Sequence, residues 1–457
     1  MMTVSLKRID RPRRGLRRFV ILFVLVLIGA AVFLALKFLE MEPPVINLSI
    51  PNRLLGRQSS LALRITDKKS GVRDFVVLLR QGKHDIVLVH RQFVRKGGLT
   101  GGPPAVAETV KIDAAALGLT DGRADLLVKA HDFSYWHWGR GNEAAASYPL
   151  IFDTKAPKLN FVDGPRLMKP GSAAIIIYRA NEELSRSGLN INGHYFPGFP
   201  VKDRGRGIYG ALIGLPYNTE IIKKAFISAV DRAGNEGKLD IGLEVRKTIK
   251  HRDRINITES FLKLKMPQFA QNYPEMKGTL LEEFLYVNNE IRHRNAAKIR
   301  EICLHTSPQR FWKGRFERMR RSSRRAGFAD YRTYYYKGRV IDHQVHKGLD
   351  LASIRHARIQ AANAGRVVYA DYLGIYGNVV ILDHGQGLFS LYAHLSQIKV
   401  AVGDMVKKGG LLGRSGHTGM AGGDHLHFSI LVDGVFVNPV EWWDKNWVRL
   451  NIEQYLR

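Results

Sequence analysis

The sequence predicts a mainly β protein with a helical connector: two β-sandwiches in tandem, a helical stretch, and a C-terminal antiparallel β-sheet domain. Three observations predict it. Short alternating apolar runs such as "VINLSI", "SLALRI" and "DFVVLLR" are broken by Gly, Asn, Asp and Pro about every 8–12 residues, the rhythm of sandwich strands. The first half repeats itself. Between residues 258 and 306 the period changes to three and four, as in Leu280, Leu281, Phe284, Leu285, Val287 and Ile291, which is a helical stripe.

The chain opens with an 18-residue run free of charge at 19–36, "FVILFVLVLIGAAVFLAL". At ~1.5 Å per residue a run of this length covers most of a bilayer's hydrocarbon core. Lys7, Arg8, Arg11, Arg13, Arg14, Arg17 and Arg18 precede it, and Lys37 alone follows closely. That asymmetry keeps the N-terminus in the cytoplasm and exports the rest. The expectation is a basic cytoplasmic tail at 1–18 and an uncleaved transmembrane signal anchor at 19–39 in the cytoplasmic (inner) membrane, crossed once. The bulk of the chain then lies in the periplasm or cell envelope.

The repeat places the two sandwiches. "PVINLSI" at Pro44 is echoed by "PKLNFVD" at Pro157, and "LLVKAHD" with its later "GNE" by "AFISAVD" with another "GNE". Units of about 100 residues have the size of immunoglobulin-like domains, and these strand ends resemble those of bacterial immunoglobulin-like domains. The expected spans are 43–153 and 154–248. A helical basic connector at 249–326 follows, divided by Pro267, Pro274 and Gly278. Its arginine-rich end, "RFWKGRFERMRRSSRR", reads as a solvated face, since an exported chain meets no nucleic acid.

Lys and Arg number 70 against 41 Asp and Glu, a net charge of +29, which favours contact with an acidic polymer or anionic lipid. The one cysteine, Cys303, excludes an intrachain disulfide framework and a cysteine-rich zinc site; a buried place in the helical segment is expected for it.

Histidines and aspartates gather in the last domain, expected at 327–445: "VHKGLD" (His346, Asp350), "LYAHLS" (His394) and "DHLHFS" (His425, His427). Side chains two apart on a strand face the same way, so His425 and His427 look into one groove while Leu426 and Phe428 turn into the core. His346 and Asp350, four apart, share a face in either a strand or a helix, and Gly348 disfavours the helix. Two imidazoles and a carboxylate with one position open suit Zn2+, which acidifies water and polarises a carbonyl, as amide hydrolysis requires. His394 and one of the HxH pair are the groups available for proton transfer and oxyanion stabilisation. His343, His356, His384 and His417 read as surface or turn residues, and Asp371 and Asp383 as turn or strand-end residues. Tyr372, Tyr376 and Tyr392 are candidates for the groove wall.

The runs "HKGLDLA", "ANAGRVVYADYLGIYGNVVILDHGQGLFSLYAHLS" and "VAVGDMVKKGGLLGRSGHTGMAGGDHLHFSILVDGVFVNP", in this order and spacing, resemble the lysostaphin/LytM-type zinc metallopeptidases, peptidoglycan endopeptidases of bacterial cell walls. The likeness covers about 328–443. It implies that His346, Asp350 and His427 hold Zn2+, that His394 and His425 are catalytic, and that the substrate is a stem or cross-bridge amide of peptidoglycan. Two departures, "SIRHARIQA" and His417, fall away from these five positions. "VGDMVKKGGLLG" also occurs in biotinyl and lipoyl carriers, but no modifiable lysine hairpin accompanies it here. Two other readings follow from the same residues: a non-catalytic wall-binding scaffold or activator of other wall hydrolases, and an enzyme kept latent by segment 256–336 over its groove.

Overall fold

The computed structural model describes residues 14–38, 40–50, 52–96 and 101–456. Residues 1–13 of the predicted basic tail and residue 39 of the predicted anchor lie outside the described residues. The chain clusters into two compact units, residues 1–155 with 232–235 and residues 156–231 with 236–457.

In the first unit, the helix Arg14–Phe38 runs 25 residues, about 37 Å at 1.5 Å per residue. No residue of its apolar window Arg17–Leu34 is buried. An apolar window left unburied among the described residues is one that lipid or a signal-sequence receptor would cover. Beyond it, two sheets face each other. Val45–Ser49, Gln58–Thr66 and Ala105–Asp113 form one; Leu54–Leu55, Glu143–Phe152, Gly122–Asp132, Val72–Gln81 and His84–Gln92 form the other, in that order. Alternation drives them together: Leu61, Leu63 and Ile65 from one sheet meet Phe75, Val77, Leu79, Leu126 and Val128 from the other in one core. This is a two-sheet sandwich.

The second unit starts differently. Seven of its strands pair in one path, Glu236–Asp240, Ala225–Asp231, Leu184–Ile191, His194–Pro200, Ile208–Gly214, Ala173–Ala180 and Leu159–Asp163, rather than as the two separate sheets expected of an immunoglobulin-like domain. The path curls until its ends meet, with Gly237 against the Pro157 carbonyl. Its core, including Ile176, Tyr178, Leu189 and Ile227, is continuous with that of the C-terminal sheet. Gly214 abuts Val432, Val435 and Val437, and the Asn438 amide donates to the Gly171 carbonyl. Period-two patterning fixes that these segments are strands but not which edge pairs with which, so this arrangement had no signature in the sequence.

The C-terminal sheet is antiparallel throughout, in the order Ser323–Ala326, Leu349–Ala352, Leu426–Val432, Leu388–Ile398, Asn378–Gly385, Gly365–Tyr372, Met405–Val406. Its central strands are apolar almost continuously because both faces are covered. Val380, Leu382, Phe428 and Ile430 face Trp312, Phe316 and Trp442 on one side. Val379, Ile381, Phe389 and Leu391 face Phe269, Phe284, Ile291, Ile299 and Cys303 on the other.

The second group is the helical segment. Glu259–Ala270 is capped by Thr258, and Leu280–Tyr286 by a reciprocal Thr279/Glu282 capping box. A π-turn, Val287–Ile291, leads into Arg292–Cys303. Cys303 is buried in this helical layer, where the sequence placed it. Each fully buried Phe or Ile here contributes about 1.5–3 kcal/mol, so the segment is a structural layer of the sheet domain and not a detachable strap. Just before it, Arg252–Ile257 runs parallel to Tyr331–Tyr336, which pairs in turn with Arg339–Val345. In the arginine-rich stretch, Trp312 and Phe316 stand edge-on to Trp442 at 5.6 and 5.4 Å, while Arg315, Arg318, Arg320, Arg321, Arg324 and Arg325 are exposed.

Candidate metal centre and active site

Three neighbouring strands carry the site. Asp350 lies directly across from His427, and His427 directly across from Ala393 on its other side. The strand Leu388–Ile398 bulges next to that position, so that two residues, Ala393 and His394, stand where its partner supplies one. His394 takes a left-handed φ of 61°. A bulge with a strained non-glycine residue turns a side chain that would have followed the pleat toward the neighbouring histidines. His346 precedes the first strand in a loop, and His425 sits on an isolated bridge to Gly416.

Nε2 of His346 lies 3.0 Å from Asp350 Oδ1 and 3.0 Å from Nδ1 of His427, and that Nδ1 lies 2.9 Å from the same carboxylate oxygen. The hydrogen bonds behind these atoms decide what each offers. His346 donates from Nδ1 to the Gly327 carbonyl at 2.7 Å, leaving Nε2 as a bare lone pair. Ser429 gives its hydroxyl proton to the Lys347 carbonyl at 3.0 Å, so its oxygen accepts from Nε2 of His427 at 3.1 Å. Nδ1 of His427 is then also a lone pair. Three acceptors therefore converge with no proton among them. Burial holds the His427 pKa down at about 4, so this ring is neutral at pH 7. Burial opposes ionisation of Asp350, but the imidazoles gathered round it keep its carboxyl well below the usual range. A nitrogen–nitrogen–oxygen donor set of this kind, with each imidazole oriented from behind, fits a divalent zinc ion.

The remaining two histidines stand beside this set. The His394 ring centre is 4.8 Å from that of His425 and 5.8 Å from that of His427. His394 donates from Nδ1 to the Thr418 carbonyl at 2.9 Å, leaving its Nε2 free, and His425 donates from Nδ1 to the Gly423 carbonyl at 2.8 Å, with its Nε2 facing Asp350 Oδ1 at 3.6 Å. Burial, then His425 and His427, hold the His394 pKa well below its ordinary value. For His425 burial works the same way, but the hydrogen bond and charge of Asp350 outweigh it and raise the pKa. All five sequence-predicted residues line one cavity of about 360 Å³.

Several neighbours escaped the sequence reading. Gly348 leaves room for the His427–Ser429 pair, since a Cβ there would stand 2.6 Å from each partner atom. Ser429 is two residues beyond His427 and so faces the same way, a signal that period two contains. Arg332 donates to the second oxygen of Asp350 at 3.3 Å. Nothing in the sequence pairs Arg332 or the Gly327 carbonyl with the site. Of the three tyrosines considered for the groove, Tyr376 lines the cavity and Tyr392 is a core residue whose hydroxyl accepts from the Ala362 amide. His384, expected at the surface or in a turn, is fully buried on the strand Asn378–Gly385. It bonds the Ala364 carbonyl and Ser390, both at 2.7 Å, and burial lowers its pKa to about 4. Asp383, at its strand's end, is buried too, and accepts from Thr306, Ser307 and Gly385.

Residues 344–439 match the family described as Peptidase family M23. The DD-carboxypeptidase/endopeptidase Mpg of Neisseria meningitidis serogroup B is 37% identical over 97 residues, 21% of this chain and 22% of that protein. The murein hydrolase activator EnvC of Escherichia coli K12 is 36% identical over 96 residues, 21% of this chain and 23% of that one. A crystal structure of a Pseudomonas aeruginosa protein described as a putative peptidase M23 is 21% identical with a TM-score of 0.40, covering 60% of this chain and 94% of that one. The chain thus spans less than a quarter of the length of these two curated relatives. It carries a Peptidase M23 domain in its C-terminal part.

Proposed function

We propose that the chain is a zinc-dependent endopeptidase that cleaves peptide stems or cross-links of peptidoglycan, held at the cytoplasmic membrane by its N-terminal helix with the rest in the cell envelope. The observation that carries this reading is the convergence of His346 Nε2, Asp350 Oδ1 and His427 Nδ1 as three lone pairs with no proton among them. Zinc bound there supplies Lewis acidity for amide hydrolysis. The other roles belong to the chain itself. Gly327 and Ser429 fix the tautomers of the two ligand histidines. His394, its ring locked by Thr418, presents Nε2 to take a proton from water and return it to the departing amine. His425 Nε2, with a raised pKa, donates to the carbonyl oxygen as negative charge develops on it. The two-sheet sandwich and the curled seven-stranded sheet serve as spacers between membrane and wall. The net charge of +29 suits a carboxylate-rich polymer.

The test is digestion of purified cell-wall sacculi by the full chain in detergent, with and without a chelator, beside His427→Ala and His394→Ala. Native protein should release soluble fragments, lose that ability on chelation and regain it with zinc. Equal release by the alanine variants would remove the assigned roles. The likeness to a murein hydrolase activator supports a second reading, a non-hydrolytic wall-binding protein or activator of other hydrolases. That reading expects binding to sacculi without release.

A further inference from the structure

The cavity that holds the five histidine and aspartate positions has a second chemical feature on its wall. Arg292, Lys347 and Arg332 all line it, and Asp350 is its one carboxylate among the lining residues. Arg332 is already bound to Asp350. Arg292 and Lys347 have no carboxylate partner among the described residues, although each is only partly exposed.

Arg292 is also held in place. It follows the π-turn Val287–Ile291, which brings the fully buried Asn288 under its guanidinium. Arg292 Nε donates to the Asn288 carbonyl at 3.0 Å and one Nη to the Asn288 side-chain oxygen at 2.5 Å. Asn288 is itself fixed, donating to Asp342 at 2.6 Å. One edge of the guanidinium is thus clamped, and the opposite edge has no hydrogen-bond partner among the described residues. π-turns inside helices are uncommon and recur at functional sites. Lys347 follows the first predicted metal ligand directly; its ammonium sits over the Phe436 ring at 5.7 Å and within the fields of Arg292 and Arg300. Like charges crowded together and partly desolvated without a counter-ion are costly, and an anionic ligand removes that cost. Arginine clamped on one side is suited to bidentate capture of a carboxylate on the other.

We propose that Arg292 and Lys347 form a carboxylate-binding subsite on the wall of the cavity, so that the peptide taken there is anionic, with a free carboxylate seated in the same cavity as the amide to be cleaved. The cleavage rests on the peptidase reading; the binding does not. A neutral oligoglycine bridge would leave both cations unpaired; a stem bearing free carboxylates would not.

The test measures binding to the full chain in detergent with a chelator present, so that no metal competes for the carboxylate. The probes are a dansyl-labelled Ala-Glu-Lys-Ala peptide with free carboxylates and the same peptide with both carboxylates amidated. The wild-type chain should bind the free acid about tenfold more tightly, as expected for one charge-assisted contact. The Arg292→Gln/Lys347→Gln double variant, checked for native circular dichroism, should bring the ratio to about one. Equal binding of the two peptides by the wild-type chain overturns the proposal without reference to any variant. A tenfold ratio that survives in a folded double variant overturns the assignment to these residues. Sacculus digestion run in parallel separates the two readings: a preference for the free acid with no fragment release upholds the subsite and fails the hydrolase.

Discussion

Replacing Gly348 by alanine puts one methyl group where the His427–Ser429 hydrogen bond runs. The new Cβ would stand 2.6 Å from His427 Nε2, 2.6 Å from Ser429 Oγ and 2.7 Å from His427 Cε1, against the 3.4 Å at which ordinary contact begins. The backbone at Gly348 is outside the left-handed region, so the effect is steric alone. Relief requires about 0.8 Å of movement, shared between the imidazole and the serine, whereas metal–ligand distances hold to about ±0.2 Å. The ring also loses the acceptor that fixes its tautomer. Loss of such an orienting partner costs about 10- to 100-fold in metal affinity, or about 1.4–2.8 kcal/mol. Competition of the purified full chain against a zinc-sensitive dye measures this directly, with Ser429→Ala as the variant that removes the hydrogen bond without the clash. Gly348→Ala should weaken zinc at least as much as Ser429→Ala. A folded Gly348→Ala protein that holds zinc as tightly as the native chain would show that His427 is not oriented in the way described.

His394→Ala and His427→Ala should separate: the first keeps stoichiometric zinc while losing hydrolysis, the second loses both, as read by metal analysis beside sacculus digestion. The acid limb of stability should carry two opposed contributions. Burial lifts the Glu441 carboxyl, which accepts from Ser172, to about 7. The folded chain then holds a proton that the unfolded chain has released, and this stabilisation is lost as pH rises from about 4.5 to about 7, at about 1.4 kcal/mol per unit. His384, lowered to about 4, does the reverse: its contribution is complete above about 6.5 and disappears as pH falls toward 4. Melting temperatures across that window should therefore fall more steeply with acid in Glu441→Gln and less steeply in His384→Asn; identical slopes in all three proteins would refute both assignments. Deleting residues 258–306 should leave the C-terminal sheet insoluble, because Phe269, Phe284, Ile291 and Ile299 cover its face; a soluble, folded truncation would contradict the layered core.

The chemistry of the site was legible in the sequence to the extent that chemistry follows from spacing. Period two placed His425 and His427 on one side with Leu426 and Phe428 opposite, and both apolar residues are buried. The same rule reaches Ser429. What spacing could not supply was the bulge at Ala393–His394, because an extra residue in a strand shows only once the partner strand is known. The burial of His384 was hidden for a related reason: its two partners are Ala364, just before the neighbouring strand Gly365–Tyr372, and Ser390, on the other neighbour Leu388–Ile398. The helical stripe through Phe284 and Ile291 was visible as amphipathic, but an apolar face does not name what it covers. Nothing in the sequence singles out Arg292. Its position depends on the π-turn at Val287–Ile291, which the apolar pattern does not mark.

The account depends on His346, Asp350 and His427 enclosing a metal ion, and zinc analysis of the purified, folded full chain after supplementation and gel filtration tests that most directly. One zinc per native chain and none in Asp350→Ala is the expected outcome. A native chain, folded and supplied with zinc, that elutes without it would contradict the account.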